Sequence, residues 1–256
     1  MISSAHSLLS LDALVFSSHK TSTQTLVNTL RGNGISATHA HSLTHLGAKR
    51  GGFQALMRNY LSERNTKLRL YTVFREPIER LISSFFQTYG SDLIDFGYIS
   101  STEESILYSS SMSELQDMFA EVLEEQTLPG YPESLGILCE ELSISPKSLS
   151  FDADKGVSLV ELDECDLVLL RFDLLIAKYS DILSSLCGVD VEIDPSNLSR
   201  KKWYSSIYQE FTTSLCVPPD TMDALYEEKI DLLEVFYGDG VEDLKASVKE
   251  RYSGQR

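Results

Sequence analysis

The apolar run at residues 13–16 is followed by a polar turn and then by Leu26, Val27 and Leu30 at helical spacing, which predicts a strand, a turn and a helix. The same plan returns at residues 67–74, where Leu68, Leu70, Tyr71, Val73 and Phe74 predict a buried strand ending at Arg75. Pro77 suits a first helical turn, where a missing N–H loses no bond, and Ile78, Leu81, Ile82, Phe85 and Tyr89 form the inward stripe. Arg80, Ser83 and Gln87 are expected on the other face. Residues 35–38 predict another strand between the two units, and residues 157–162 and 167–171 predict two more. Helices are expected at 112–126 and 133–142, with Pro129-Gly130-Tyr131-Pro132 as a break, and at 174–186, ending at Gly188. A further helix is expected at 200–213, and Asp220 is expected to cap the one after Pro218-Pro219.

Strands alternating with helices indicate an α/β class with a mostly parallel sheet. With 256 residues and 42% hydrophobic content, the chain is expected to form a single domain over 1–256, with 91–145 as an acidic, largely helical insertion. Charge is divided unevenly. Residues 1–80 carry 10 Lys or Arg against 4 Asp or Glu, whereas 81–146 carry 12 acids and no basic residue. A net charge of −16 argues against nucleic acid as a partner, because such binding rests on cations that neutralise phosphates. Cys139, Cys165, Cys187 and Cys216 form no Cys-x-x-Cys pair and read as reduced core thiols. No stretch is long and apolar enough for membrane insertion, so a cytoplasmic protein is expected.

The basic half carries the candidate chemistry. Lys20 and the hydroxyl residues after it stand at a predicted helix start, where exposed backbone N–H groups and the dipole favour an anion. Arg75 ends a predicted strand. In parallel sheets ligands bind beyond the carboxyl ends of the strands, so Lys20, Arg75 and Ser83 are expected to converge on one crevice.

At these positions the chain resembles the sulfotransferase superfamily. Lys20-Thr21-Ser22-Thr23-Gln24-Thr25-Leu26 is similar to the family's 5′-phosphosulfate loop, and Arg75-Glu76-Pro77 with Arg80 and Ser83 is similar to its 3′-phosphate motif. Lys201-Lys202-Trp203-Tyr204-Ser205 resembles the Asn-Lys-Trp-Tyr-Ser signature of a bacterial branch assigned to capsular polysaccharide synthesis. Residues 151–156 and 167–175 resemble the same branch. Three departures stand out: Ser22 replaces a glycine, Lys201 an asparagine, and Asp173 a glutamate. The resemblance implies a P-loop-like three-layer fold and a 3′-phosphoadenosine 5′-phosphosulfate donor. It also implies a saccharide or glycoconjugate acceptor. Lys20 and the backbone of Thr21, Ser22, Thr23, Gln24 and Thr25 would hold the 5′ end, Arg75 and Ser83 the 3′-phosphate, with Lys202 as a weaker contact.

The acceptor's base is expected among the histidines. His39, His41 and His45 follow the strand at 35–38, and His39-Ala40-His41 resembles a His-x-His element of some polysaccharide sulfotransferases. An imidazole titrates near neutral pH, which suits removal of a hydroxyl proton. His41 is the first choice and His39 the second. No metal is expected, since no carboxylate or cysteine near His39 and His41 completes a ligand set. An ATP-dependent kinase is a weaker alternative: with Lys20 as a Walker lysine, Leu14 and His19 would occupy both glycine positions. A nucleotide-binding or polysaccharide-assembly protein of the same fold without turnover is the other alternative.

Overall fold

A computed structural model of the chain describes residues 8–92, 100–125, 133–188, 190–191 and 202–252. In chain order its elements begin with β1 (Ala13–Phe16), α1 (Thr23–Gly32), β2 (Ala37–Ala40), α2 (Phe53–Arg64), β3 (Leu68–Phe74) and α3 (Pro77–Phe86). Next come α4 (Ile106–Ser109), α5 (Met112–Glu125), α6 (Ser134–Leu142), β4 (Val157–Glu161), β5 (Cys165–Arg171), α7 (Phe172–Ala177) and α8 (Tyr179–Cys187). The last four are α9 (Ser205–Ser214), α10 (Pro219–Glu228), α11 (Ile230–Tyr237) and α12 (Val241–Arg251). The chain divides into two compact units. The first comprises Met1–Arg75, Pro132–Asn197 and Glu234–Phe236; the second comprises Glu76–Tyr131, Leu198–Leu233 and Tyr237–Arg256.

The first unit is built on a five-stranded sheet in the order β2-β1-β3-β5-β4. β2, β1, β3 and β5 run parallel, and β4 closes one edge antiparallel to β5. The α/β class and the mostly parallel sheet are therefore as the periodicity predicts. Alternation along β1 separates the two faces: Ala13 and Val15 join Leu26, Val27 and Leu30 of α1 and Ile182 and Leu183 of α8 in one core. Phe16 faces the other way, its ring centroid 5.9 Å from that of Phe53 on α2. β2 starts two residues later than expected. The predicted helix at 174–186 is two helices, separated at Lys178, whose φ of −126° leaves the helical range, and Gly188 ends the second at φ 70°. Helix α2 was not expected; its mixed pattern buries only Phe53, Met57 and Tyr60.

The second unit is helical. Phe85 and Phe86 of α3 pack edge-on against Phe119 of α5 and Phe211 of α9, at 5.5 and 5.1 Å between centroids. α3 is buried almost all round, which corrects the expected outer face: Arg80 is 0% and Ser83 9% exposed. Glu76 starts α3, its carboxylate accepting from the N–H groups of Ile78 and Glu79 and from the Tyr226 hydroxyl. Beyond α3 the chain widens into a π-helical turn, Gln87–Asp92, where a Cβ on Gly90 would lie 2.8 Å from the Tyr204 ring. Asp220 does not cap α10; Pro218 stands at the cap and Asp220 within the first turn. The helix expected from residue 200 begins at Ser205, and residues 200–201 and 129–132 lie outside the described residues.

Burial pushes the Cys139 thiol up to about 11 and the Cys165 thiol to about 12, as suits inert core thiols. Cys187 is half-buried and Cys216 exposed, so only two of the four cysteines are core residues. Among the described residues no helix is long and apolar enough to cross a membrane.

Candidate functional site

Strand order alone singles out one place in the first unit. From β1 the chain moves to β2 on one side and then to β3 on the other, so the direction reverses at β1. In parallel sheets ligands usually bind at such a reversal, here the carboxyl ends of β1 and β3. The loop at residues 17–22 leaves β1 there. Ser17 shapes it: its hydroxyl donates to the Val73 carbonyl and accepts from the Val73 N–H, both at 3.0 Å. The side chain thus continues the β1–β3 ladder where the backbone departs, and both peptide groups of Val73 stay satisfied. Thr21, fully buried, donates to the Ser18 carbonyl at 2.7 Å, and its hydroxyl oxygen lies 2.8 Å from that of Ser17. Its hydroxyl is committed inside the loop.

Lys20 and Ser22 both have left-handed backbones, at φ 66° and 60°. Asn65 and Ser143, the other non-glycine residues of this kind among those described, are helix C-caps, a place where that conformation is ordinary. Two such residues in a six-residue loop concentrate strain in it, a pattern associated with binding sites. Ser22 precedes α1 without a side-chain cap bond, and the first turn of α1 holds no acid. The helix start therefore keeps its positive end. Thr23 is buried, Thr25 half-buried, and Gln24 exposed, its amide donating to Asn28.

Arg75 meets this loop. Its Nη1 donates to the Lys20 carbonyl at 3.1 Å, and its guanidinium lies 4.4 Å from the centroid of the Phe172 ring. Nε is buried without a hydrogen bond. Phe172 follows β5 as Arg75 follows β3, so the carboxyl ends of neighbouring strands supply both partners.

The histidines gather at the same end. His41, just past β2, has its Nδ1 2.6 Å from the Ser17 carbonyl. A carbonyl only accepts, so Nδ1 carries the proton and Nε2 is left as the acceptor. His19 stacks on His41 at 4.0 Å between centroids, His39 lies at 5.0 Å and His45 at 6.2 Å. The His41 N–H donates to His45 Nδ1. Burial holds the imidazole of His41 below the usual range, and burial followed by the neighbouring His41 does the same to His39. Both therefore favour the neutral, proton-accepting form at neutral pH. Among the described residues no group of three or more His, Cys, Asp or Glu side chains is arranged to hold a metal.

Lys20, the 21–25 backbone, Arg75, His39 and His41 all belong to the first unit, and Ser83 and Lys202 to the second. Ser83 lies on the buried helix α3, and Lys202 holds its ammonium 5.7 Å from the Tyr204 ring centroid. Ser17, His19 and Phe172 were missed by sequence reasoning. For His19 the signal was available, since it directly precedes Lys20; for Phe172 it was not, because only sheet order brings β5 beside β3. No family model, curated protein or solved structure matches the chain.

Proposed function

We propose that the chain is a sulfotransferase that moves a sulfuryl group from 3′-phosphoadenosine 5′-phosphosulfate to a saccharide or glycoconjugate hydroxyl. The observation that carries this reading is the meeting of the Lys20 loop, Arg75 and a neutral His41 at the strand ends where the sheet reverses. A central parallel sheet with a strand–loop–helix unit at its reversal point agrees with a P-loop-like three-layer fold.

In this reading the N–H groups at the start of α1 and the Lys20 ammonium take the 5′-phosphosulfate, and the open donors of Arg75 take the 3′-phosphate. Ser83 and Lys202 enter through the sequence motifs alone. The acceptor oxygen attacks sulfur as His41 Nε2 removes its proton; the bond from sulfur to the bridging phosphate oxygen breaks, and its electron pair stays on that phosphate. Lys20 and the loop amides offset the charge that develops there, so no metal is required. Stacking on Phe172 and the bond to Lys20 hold the Arg75 plane before any ligand arrives, which lowers the ordering cost of binding.

The test is incubation with donor labelled in its sulfuryl sulfur, a panel of saccharides and a chelator. Label appearing in a saccharide supports the reading. Hydrolysis or no turnover with every acceptor, while the bisphosphate nucleotide binds, would favour a nucleotide-binding protein of the same fold.

A further inference from the structure

The second unit holds a cavity of about 340 Å³ between the segment carrying α4 and the start of α9. This lies at the small end of the roughly 300–1,000 Å³ range of ligand sites. Its lining joins two aromatic rings, Tyr108 and Trp203, to Ser110, Ser206 and Glu210 over the apolar Leu115. The rings lie 6.0 Å apart between centroids and 31° from parallel, and so form adjoining parts of one aromatic surface. Tyr108 is 61% exposed, one of three large hydrophobic side chains in the described residues left so open. A ring held in water at the rim of a cavity gains from a ligand that covers it.

We propose that this cavity is a binding subsite for one uncharged saccharide ring. The aromatic surface offers an apolar platform to the C–H face of a pyranose, while Ser110, Ser206 and Glu210 supply hydroxyl and carboxylate partners for its hydroxyl edge. Glu210 is exposed and forms no ion pair among the described residues, and no lining residue is cationic. A carboxylate with no cation beside it repels phosphate and sulfate groups but accepts strongly from hydroxyls. That balance selects a neutral polyol over a nucleotide. The site lies wholly within one unit and is independent of whether the chain transfers sulfuryl groups.

Trp203 is the chain's only tryptophan, so its fluorescence reports on this cavity alone. The full chain is titrated, without nucleotide, with maltose, cellobiose, lactose and N,N′-diacetylchitobiose. A saturable change in Trp203 emission is expected with at least one sugar, together with protection from acrylamide quenching. Tyr108→Ala and Glu210→Gln should each weaken that binding about tenfold or more, the scale of a lost charged hydrogen bond. Both side chains are exposed, so unchanged melting temperatures are expected. No saturable response to any of the sugars overturns the proposal, as does binding that survives both substitutions. A response to 3′,5′-bisphosphoadenosine with none to sugars would assign the cavity to a nucleotide instead. Donor binding measured by calorimetry on Arg75→Ala fails or succeeds separately, because Arg75 belongs to the other unit.

Discussion

Ser22 holds a left-handed backbone that glycine adopts without steric cost, so the serine strains the loop. Ser22→Gly should raise stability by about 1 kcal/mol, measured by denaturant unfolding, with donor binding retained. An unchanged or lowered stability would show that the Ser22 side chain compensates for the strain. Ser17 is opposite in kind: Ser17→Ala leaves both buried peptide groups of Val73 without their partner, at a cost of about 1–3 kcal/mol. His41 carries the chemical prediction. His41→Ala should slow transfer roughly a hundredfold to ten-thousandfold while leaving nucleotide binding nearly intact, read by turnover and calorimetry together. Near-native turnover in the folded variant would remove His41 from the role, and His39 would be tested in the same way. Because the folded imidazoles titrate below the ordinary 6.5, the unfolded chain takes up protons first as pH falls. Stability is therefore full above about 6.5 and declines as pH drops through the lowered values. Melting temperature against pH should show this slope, and His41→Gln should flatten it.

For helix α3 the start was legible in the sequence and the environment was not. Pro77 and the apolar stripe mark its start and inward face in the sequence, yet the opposite face is buried too, because aromatic side chains of α5 and α9 pack around its C-terminal half. That packing is nonlocal and leaves no periodic signal. Glu76 illustrates the same limit: it reads as one residue of a phosphate motif, whereas its carboxylate caps α3 and accepts from Tyr226, 150 residues away. Glu76→Ala should destabilise the protein by about 1–3 kcal/mol, visible in chemical denaturation, since it removes a cap and leaves the Tyr226 hydroxyl unpaired. Gly90→Ala should cost a similar amount by forcing a Cβ against the Tyr204 ring. β1 and β3 were readable directly, as short apolar runs ending at polar turns; α2 was not, because its buried positions are few.

Across the whole molecule, the residues that meet at the candidate site come from the ends of β1, β2, β3 and β5, separated by up to about 150 positions in the chain. Lys20, Arg75 and the His39–His41 pair were recognisable because each stands beside a local pattern. The meeting of Lys20 and Arg75 followed from the parallel-sheet rule, whereas the part of Phe172 depends on sheet order, which the sequence does not display, and so it emerged only from the fold. In the proposed function the Lys20 loop and Arg75 hold a nucleotide with phosphates at both 3′ and 5′ positions, without metal. Calorimetric titration of the chain with 3′,5′-bisphosphoadenosine, adenosine 5′-phosphate and ATP, in chelator, tests it most directly. The bisphosphate should bind best, and Arg75→Ala should weaken it roughly tenfold to a hundredfold while changing adenosine 5′-phosphate much less. Tighter binding of ATP that requires magnesium, or equal losses for both adenosine nucleotides in Arg75→Ala, would contradict the account.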